Sequence, residues 1–309
     1  MSKLRRQREY ILSEHPPFPH NMLVELSNIC NNDCVFCAHH NMKRKQGNCD
    51  KNVIEDIIHQ AYDAGTREVG FYLAGEPFLS PDLESYISLC KNIGFEYIYI
   101  TTNGVGATVE KVEKLCEAGL SSIKFSMNAA TKSTYEKIHR RDHFDIVMKN
   151  FMDIVNKKRE GVIKIPIFAS YVVVPDNESE IELFKKNIGV YCDDIDIVQA
   201  RNAAGSMPEL ESGVEVPCIQ LFNRLHITKE GYLNACCSDM NNMLAVADLK
   251  EMSLKEAWDC EEMVELRRQH LNKEIGSNIC YNCIYGRYDR DVFPANKALY
   301  ESSLCMPGH

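Results

Sequence analysis

Between residues 22 and about 204 the chain alternates short, dense apolar runs with longer stretches in which apolar side chains recur every three or four positions. The short runs lie at 23–26, 69–73, 97–101, 122–126, 165–174 and 194–199, and most are rich in β-branched or aromatic residues. Strands buried on both faces of a parallel sheet read this way. Between them, Val53, Ile54, Ile57, Ile58 and Ala61 form a helical stripe that stops at Gly65, and Phe144, Val147, Met148, Phe151, Ile154 and Val155 form another. Six strand–helix units predict right-handed crossovers and an incomplete α/β barrel of the (β/α)6 kind, spanning 21–204. Functional groups in such a barrel collect at the C-terminal ends of the strands. Past Arg201 the alternation stops. Gly205-Ser206-Met207-Pro208 reads as a linker, and 205–309 as a second, smaller domain with cysteine-bearing turns and one amphipathic helix near 254–271. Residues 1–20 read as a charged N-terminal extension closed by Pro16-Pro17-Phe18-Pro19.

Composition narrows the function classes. A chain of 309 residues has room for one large or two medium domains. With 35 basic and 44 acidic side chains the net charge is −9, which disfavours nucleic acid and anionic membranes as partners. No apolar run is long enough to span a bilayer, and the first eight residues lack the apolar segment of a secretory signal. Fourteen cysteines on a chain of this size and start read as metal ligands in a reducing cytoplasm rather than as disulfides.

Three of these cysteines, Cys30, Cys34 and Cys37, sit within eight residues directly after the first strand, spaced C-x3-C-x2-C. Thiolates are preferred ligands of iron–sulfur clusters, and a four-iron cubane held by three of them keeps one iron open for chemistry. A zinc loop is the competing reading of the same thiols. The spacing, with the aromatic Phe36 before the last cysteine, resembles the signature of the radical S-adenosylmethionine (radical SAM) superfamily. That resemblance implies a [4Fe–4S] cluster whose open iron is chelated by the amine and carboxylate of SAM, and a flavodoxin- or ferredoxin-type reductant. One electron then cleaves SAM to methionine and a 5′-deoxyadenosyl radical that abstracts a substrate hydrogen. It also implies SAM contacts at Gly75 and Glu76, where Ala74 replaces the usual first glycine, and at Asn103 and Ser126 on the third and fourth strand ends. Each of these also reads as an ordinary turn residue. Val172-Val173-Val174-Pro175 is either adenine packing or core strand.

Four further thiols, Cys218, Cys236, Cys280 and Cys283, surround a hairpin-like segment and a C-x2-C pair, enough for one metal site, whether an auxiliary cluster or zinc. The pattern resembles the SPASM and twitch extensions of radical SAM enzymes. With only Cys305 downstream it implies the shorter, twitch-like form: a small α+β domain with one auxiliary [4Fe–4S] cluster. Cys237, beside Cys236, is either a hydrogen-atom donor or a buried apolar thiol. Arg201 resembles an arginine near the reaction site of a twitch-type cyclitol dehydrogenase, or else forms a structural ion pair. Cys260, in the amphipathic helix, reads as packing or as a second donor candidate, and His39 as a loop residue or a hydrogen-bond partner near the first cluster. The expected substrate is small and polar, a sugar, cyclitol or nucleotide-sugar, undergoing dehydrogenation or epimerisation. The alternatives are a ribosomal peptide that is epimerised or crosslinked, and a non-enzymatic metal-dependent regulator.

Overall fold

The computed structural model describes residues 11–212 and 214–304; Cys305 and the first ten residues of the expected extension lie outside the described residues. Strands β1 (Asn21–Val24), β2 (Glu68–Phe71), β3 (Tyr97–Thr102), β4 (Ser122–Ser126), β5 (Ile167–Val173) and β6 (Asp194–Gln199) run parallel, each beside the next. The crossovers are α1 (Lys51–Asp63), α2 (Leu83–Ile93), α3 (Val109–Ala118), α4 (Lys132–His139) with α5 (Phe144–Arg159), and α6 (Ile181–Asn187). This is the partial α/β barrel that the apolar pattern predicts. Local signals set the helix limits. The Asp50 carboxylate accepts from the Asn52 and Val53 N–H groups at the start of α1, and Ile54, Ile57, Ile58 and Ala61 are buried against the sheet. β2 ends at Phe71, before the expected Leu73. The next backbone groups have partners off the strand: Ala74 N–H reaches the Glu25 carboxylate at 3.3 Å and Glu76 N–H the Ile29 carbonyl at 2.9 Å.

The remaining chain adds α7 (Gln220–Asn223), β7 (Arg224–Ile227), β8 (Tyr232–Asn234), β9 (Ala245–Asp248), α8 (Leu254–Trp258), α9 (Glu261–Asn272), α10 (Ile279–Tyr285) and α11 (Lys297–Ser303). Here the structure departs from three expectations. β7 lies parallel against β1, with Asn21 opposite Arg224, and β8 and β9 follow antiparallel, so this region continues the barrel sheet into nine strands, β6-β5-β4-β3-β2-β1-β7-β8-β9. The stretch at 205–208 is a docked turn rather than a free linker: Met207 is buried, and the Ser206 carbonyl accepts from Asn41 Nδ2 at 3.1 Å. The amphipathic helix expected near 254–271 is two helices. A Ser253–Glu256 capping box starts α8, and Cys260 is extended (φ −64°, ψ 158°), which restarts the helix at Glu261. The described part of the N-terminal extension packs on this corner: Phe18 meets Trp258 edge-on, and Trp258 Nε1 donates to the Pro16 carbonyl at 3.2 Å.

Candidate functional site

The loop after β1 carries Cys30, Cys34 and Cys37, at the C-terminal end of the strands where a barrel gathers its chemistry. It is fastened to the end of α4: Asp33 N–H donates to the His139 carbonyl at 3.1 Å and Val35 N–H to the Ile138 carbonyl at 2.9 Å. The His139 ring is buried, stacked on Tyr135, and its Nε2 donates to the Met127 carbonyl at 2.9 Å. Its Nδ1 is therefore the acceptor, and stands 3.1 Å from Cys34 Sγ and 3.3 Å from Asn32 Nδ2. Burial pushes His139 down to about 4 and the Cys34 thiol well up, with Cys37 and Cys30 adding to the latter. Burial likewise raises Cys37, and raises Cys30 to about 11. His39, which the sequence suggested for this place, bonds instead to the Asn28 carbonyl at 2.8 Å. Sequence reasoning missed His139, whose only local signal is the Tyr135–His139 spacing on one face of a short helix.

The other expected residues meet this loop from neighbouring strand ends. A Cβ on Gly75 would lie 2.1 Å from the Ser27 carbonyl oxygen and 2.8 Å from that of Ile29, so only glycine lets this turn press against the backbone leading into Cys30. Glu76 turns inward and accepts three hydrogen bonds: Thr102 Oγ1 at 2.6 Å, Asn103 N–H at 2.7 Å and Phe78 N–H at 3.1 Å. Its carboxylate thus straps the end of β2 to the end of β3. Burial outweighs these donors and pushes Glu76 up to about 7. Asn103 Nδ2 lies 2.6 Å from Asn31 Oδ1 and 3.9 Å from Cys30 Sγ. Ser126, on β4, accepts from Ser170 at 3.4 Å. Phe36 packs with Ile138, Val174 and Ala200 on the other rim of the loop.

Cys218, Cys236, Cys280 and Cys283 come together on the wall of a single cavity, with His270 and Gln220. The thiols feel one another: after burial, Cys218 is a main cause raising Cys280, and Cys237, then Cys218 and Cys280, raise Cys236. Among the described residues no three His, Cys, Asp or Glu side chains converge closely enough on one point to hold a metal ion. In a cubane each thiolate takes a different iron, whereas one zinc asks for four ligands about 2.0–2.3 Å from a point. Thiols spread around a cavity fit the first demand. Cys237 lines a second, smaller chamber, which Cys236 also touches, with Ala74, His226 and Thr228. Arg201 is exposed, and its charge acts on Cys283, whose thiol burial raises to about 11.

A buried ion network ties the end of β1 to the turn between β7 and β8. Arg44 pairs with both Glu25 oxygens at 2.7 and 2.9 Å, with Glu230 at 2.7 Å, and with the Met240 carbonyl at 2.8 Å. Glu25 follows β1, and Glu230 sits in the turn between β7 and β8. Inside the barrel, Lys124 of β4 faces Asp196 of β6 at 3.8 Å, both half-buried.

A parallel partial barrel with a triple-cysteine loop beyond its first strand, and a cavity of four cysteines behind it, is the arrangement of a barrel enzyme with its thiols gathered at two places. The chain belongs to the radical SAM superfamily, whose sequence profile matches residues 24–187. A second profile, the iron–sulfur cluster-binding SPASM domain, matches residues 218–284. Among curated proteins the chain is 31% identical over 178 residues to a probable GTP 3′,8-cyclase of Saccharolobus solfataricus. It is 28% identical over 136 residues to one of Methanothermobacter thermautotrophicus. The first match covers 55% of this chain and 54% of the relative, the second 44% of each; the chain therefore spans about half the length of the curated relatives it matches. Among solved structures it resembles Streptococcus suis SuiB bound to the precursor peptide SuiA, with TM-score 0.65 and 14% identity over 81% of this chain and 66% of that one. It also resembles anSMEcpe with bound AdoMet and Cp18Cys peptide, with TM-score 0.64 and 13% identity over 92% and 95%. BtrN in complex with AdoMet and 2-DOIA gives TM-score 0.54 and 16% identity over 83% and 87%. No helix of the described residues is long and apolar enough to cross a membrane.

Proposed function

We propose that this radical SAM enzyme abstracts a hydrogen atom from a residue of a peptide, leading to epimerisation, oxidation or crosslinking. When bound, a [4Fe–4S] cluster on Cys30, Cys34 and Cys37 would supply the electron that cleaves SAM and so generates the abstracting 5′-deoxyadenosyl radical. The chain's own residues prepare that site. Gly75 lets the β2 turn press on the cysteine loop, and Glu76 fixes the ends of β2 and β3 while its buried carboxylate offers lone pairs to an ammonium. Asn103 holds Asn31 beside Cys30, Phe36 packs the loop's far side, and Ser126 presents a hydroxyl from β4. Cys218, Cys236, Cys280 and Cys283 would hold one auxiliary [4Fe–4S] cluster. Cys237, which lines the second chamber, stands ready to return a hydrogen atom to a substrate radical. Arg201 would act on charged groups near Cys283.

The observation that carries the peptide reading is the open edge of the barrel. Among the described residues β6 pairs with β5 alone, and its last residues, Val198 and Gln199, are exposed beside the strand ends. An extended chain can approach through that gap, with Lys124 and Asp196 inside it to meet polar backbone or side chains. The likeness to SuiB and anSMEcpe, each solved with a peptide, supports the same reading over the small polar substrate that the sequence first suggested. A pool of deuterated peptides offered to the reconstituted enzyme with SAM and dithionite should yield mono-deuterated 5′-deoxyadenosine. Deuterium arriving only from labelled sugars, cyclitols or nucleotide-sugars would overturn the peptide reading and restore the small-molecule one.

A further inference from the structure

His270 sits in the last turn of α9, is 1% exposed, and lines the cavity of the four distal cysteines. Its two ring nitrogens have different surroundings. Nδ1 accepts the backbone N–H of Cys218 at 3.2 Å. Nε2 is buried and has no hydrogen-bond partner. An imidazole nitrogen that accepts an N–H carries a lone pair, so in the neutral ring the proton is on the other nitrogen. His270 therefore presents an Nε2–H donor that no described residue accepts, in a cavity whose wall carries the four thiols and the Gln220 amide oxygen, itself buried without a partner. A buried donor without an acceptor is costly, and native structures rarely leave one unless an unseen group completes it.

The same geometry excludes His270 as an iron ligand. Bonding iron through Nε2 while Nδ1 accepts from Cys218 would leave neither nitrogen protonated, which requires an imidazolate. What remains is donation to an acceptor inside the cavity. The sulfides and thiolate sulfurs of a cluster are such acceptors, and hydrogen bonds to them are a main control on cluster potential.

We propose that His270 donates an Nε2–H···S hydrogen bond to the auxiliary cluster and holds its reduction potential up; this rests on the reading that Cys218, Cys236, Cys280 and Cys283 bind that cluster. The Cys218 N–H fixes the tautomer, so the same residue that supplies a ligand also orients the donor. His270 is a positioning residue that acts through the cluster. An electron leaving a substrate radical would find a readier acceptor for it.

The test uses the full chain carrying Cys30→Ala, Cys34→Ala and Cys37→Ala, which confines iron to the distal site. If this variant binds no iron after anaerobic reconstitution, the auxiliary-cluster reading fails and takes the proposal with it. If it binds a cluster, the two claims separate. In protein labelled with ¹⁵N-histidine, the reduced cluster should show a weak coupling to one histidine nitrogen, and an exchangeable proton in addition to that of Ser238 N–H, whose nitrogen lies 3.4 Å from Cys236 Sγ. Strong coupling, as from direct coordination, or none at all, would overturn the proposal. This measurement needs no substitution at His270, so it decides the matter even if a variant misfolds. Adding His270→Leu should leave iron content unchanged and move the potential to a more negative value. His270→Gln, which keeps one acceptor and one donor, should recover part of that shift. A potential indifferent to both substitutions would contradict the assignment.

Discussion

At Gly75 the backbone comes so close to the Ser27 carbonyl that a single methyl group has nowhere to go. Gly75→Ala should therefore force the β2 turn away from the cysteine loop. The expected cost is about 2–3 kcal/mol, as for other overpacked sites, with a parallel loss of SAM binding, read by chemical denaturation and equilibrium dialysis. Glu76 gives a pH signature. Its carboxyl moves from an ordinary 4.5 in the unfolded chain up to about 7 in the fold. A raised acid favours folding while protonated, so its contribution is complete below pH 4.5 and is lost as pH rises to 7. In cluster-free protein, wild type should lose about 3 kcal/mol relative to Glu76→Gln across that window. A stability difference that stays flat with pH would show that Glu76 is ionised throughout. An ammonium bound beside Glu76 should shrink the loss. The cysteines and Glu76 were legible in the sequence because their spacing and order along the chain carry the information. His139 and Arg44 were not, since each acts through partners brought close only by folding: Cys34 lies 105 positions from His139, and Glu230 lies 186 from Arg44.

Among elements, the parallel strands were the most legible, because a strand buried on both faces shows as a continuous apolar run whatever lies beside it. β7, β8 and β9 are three or four residues each, too short to display a period, and the pairing of β7 with β1 joins positions some two hundred residues apart. The break between α8 and α9 was hidden because apolar residues continue on both sides of Asp259 and Cys260. The short hairpin is held to the barrel by Arg44, whose guanidinium lies between two buried carboxylates. Removing it strands the buried Glu25 charge, while Glu230 keeps Lys229 at 3.1 Å. Arg44→Met should cost about 3–5 kcal/mol by chemical denaturation, the range for breaking a buried pair. Adding Glu25→Gln should recover part of that loss, a coupling that a double-mutant cycle measures directly.

For the whole molecule, one sheet runs from the open edge at β6, past the SAM-type loop at β1, to the hairpin beside the distal cysteines. The sheet thus reaches both thiol sites: the loop of Cys30, Cys34 and Cys37 follows β1 and Cys236 follows β8, while Cys218 precedes α7 and Cys280 and Cys283 lie in α10. The two sets should still load separately. Reconstituted wild type should hold about eight irons per chain. Replacing Cys218, Cys236, Cys280 and Cys283 by alanine should leave about four, if the protein stays folded, and replacing Cys30, Cys34 and Cys37 should likewise leave about four. The measurement that bears most directly on the account is reductive SAM cleavage by anaerobically reconstituted protein, wild type against Cys34→Ala. Wild type should contain iron and sulfide and form 5′-deoxyadenosine and methionine with dithionite, and Cys34→Ala should form neither product. Wild-type protein that takes up zinc in place of iron, or that carries a cluster yet leaves SAM intact under reductant, would contradict it.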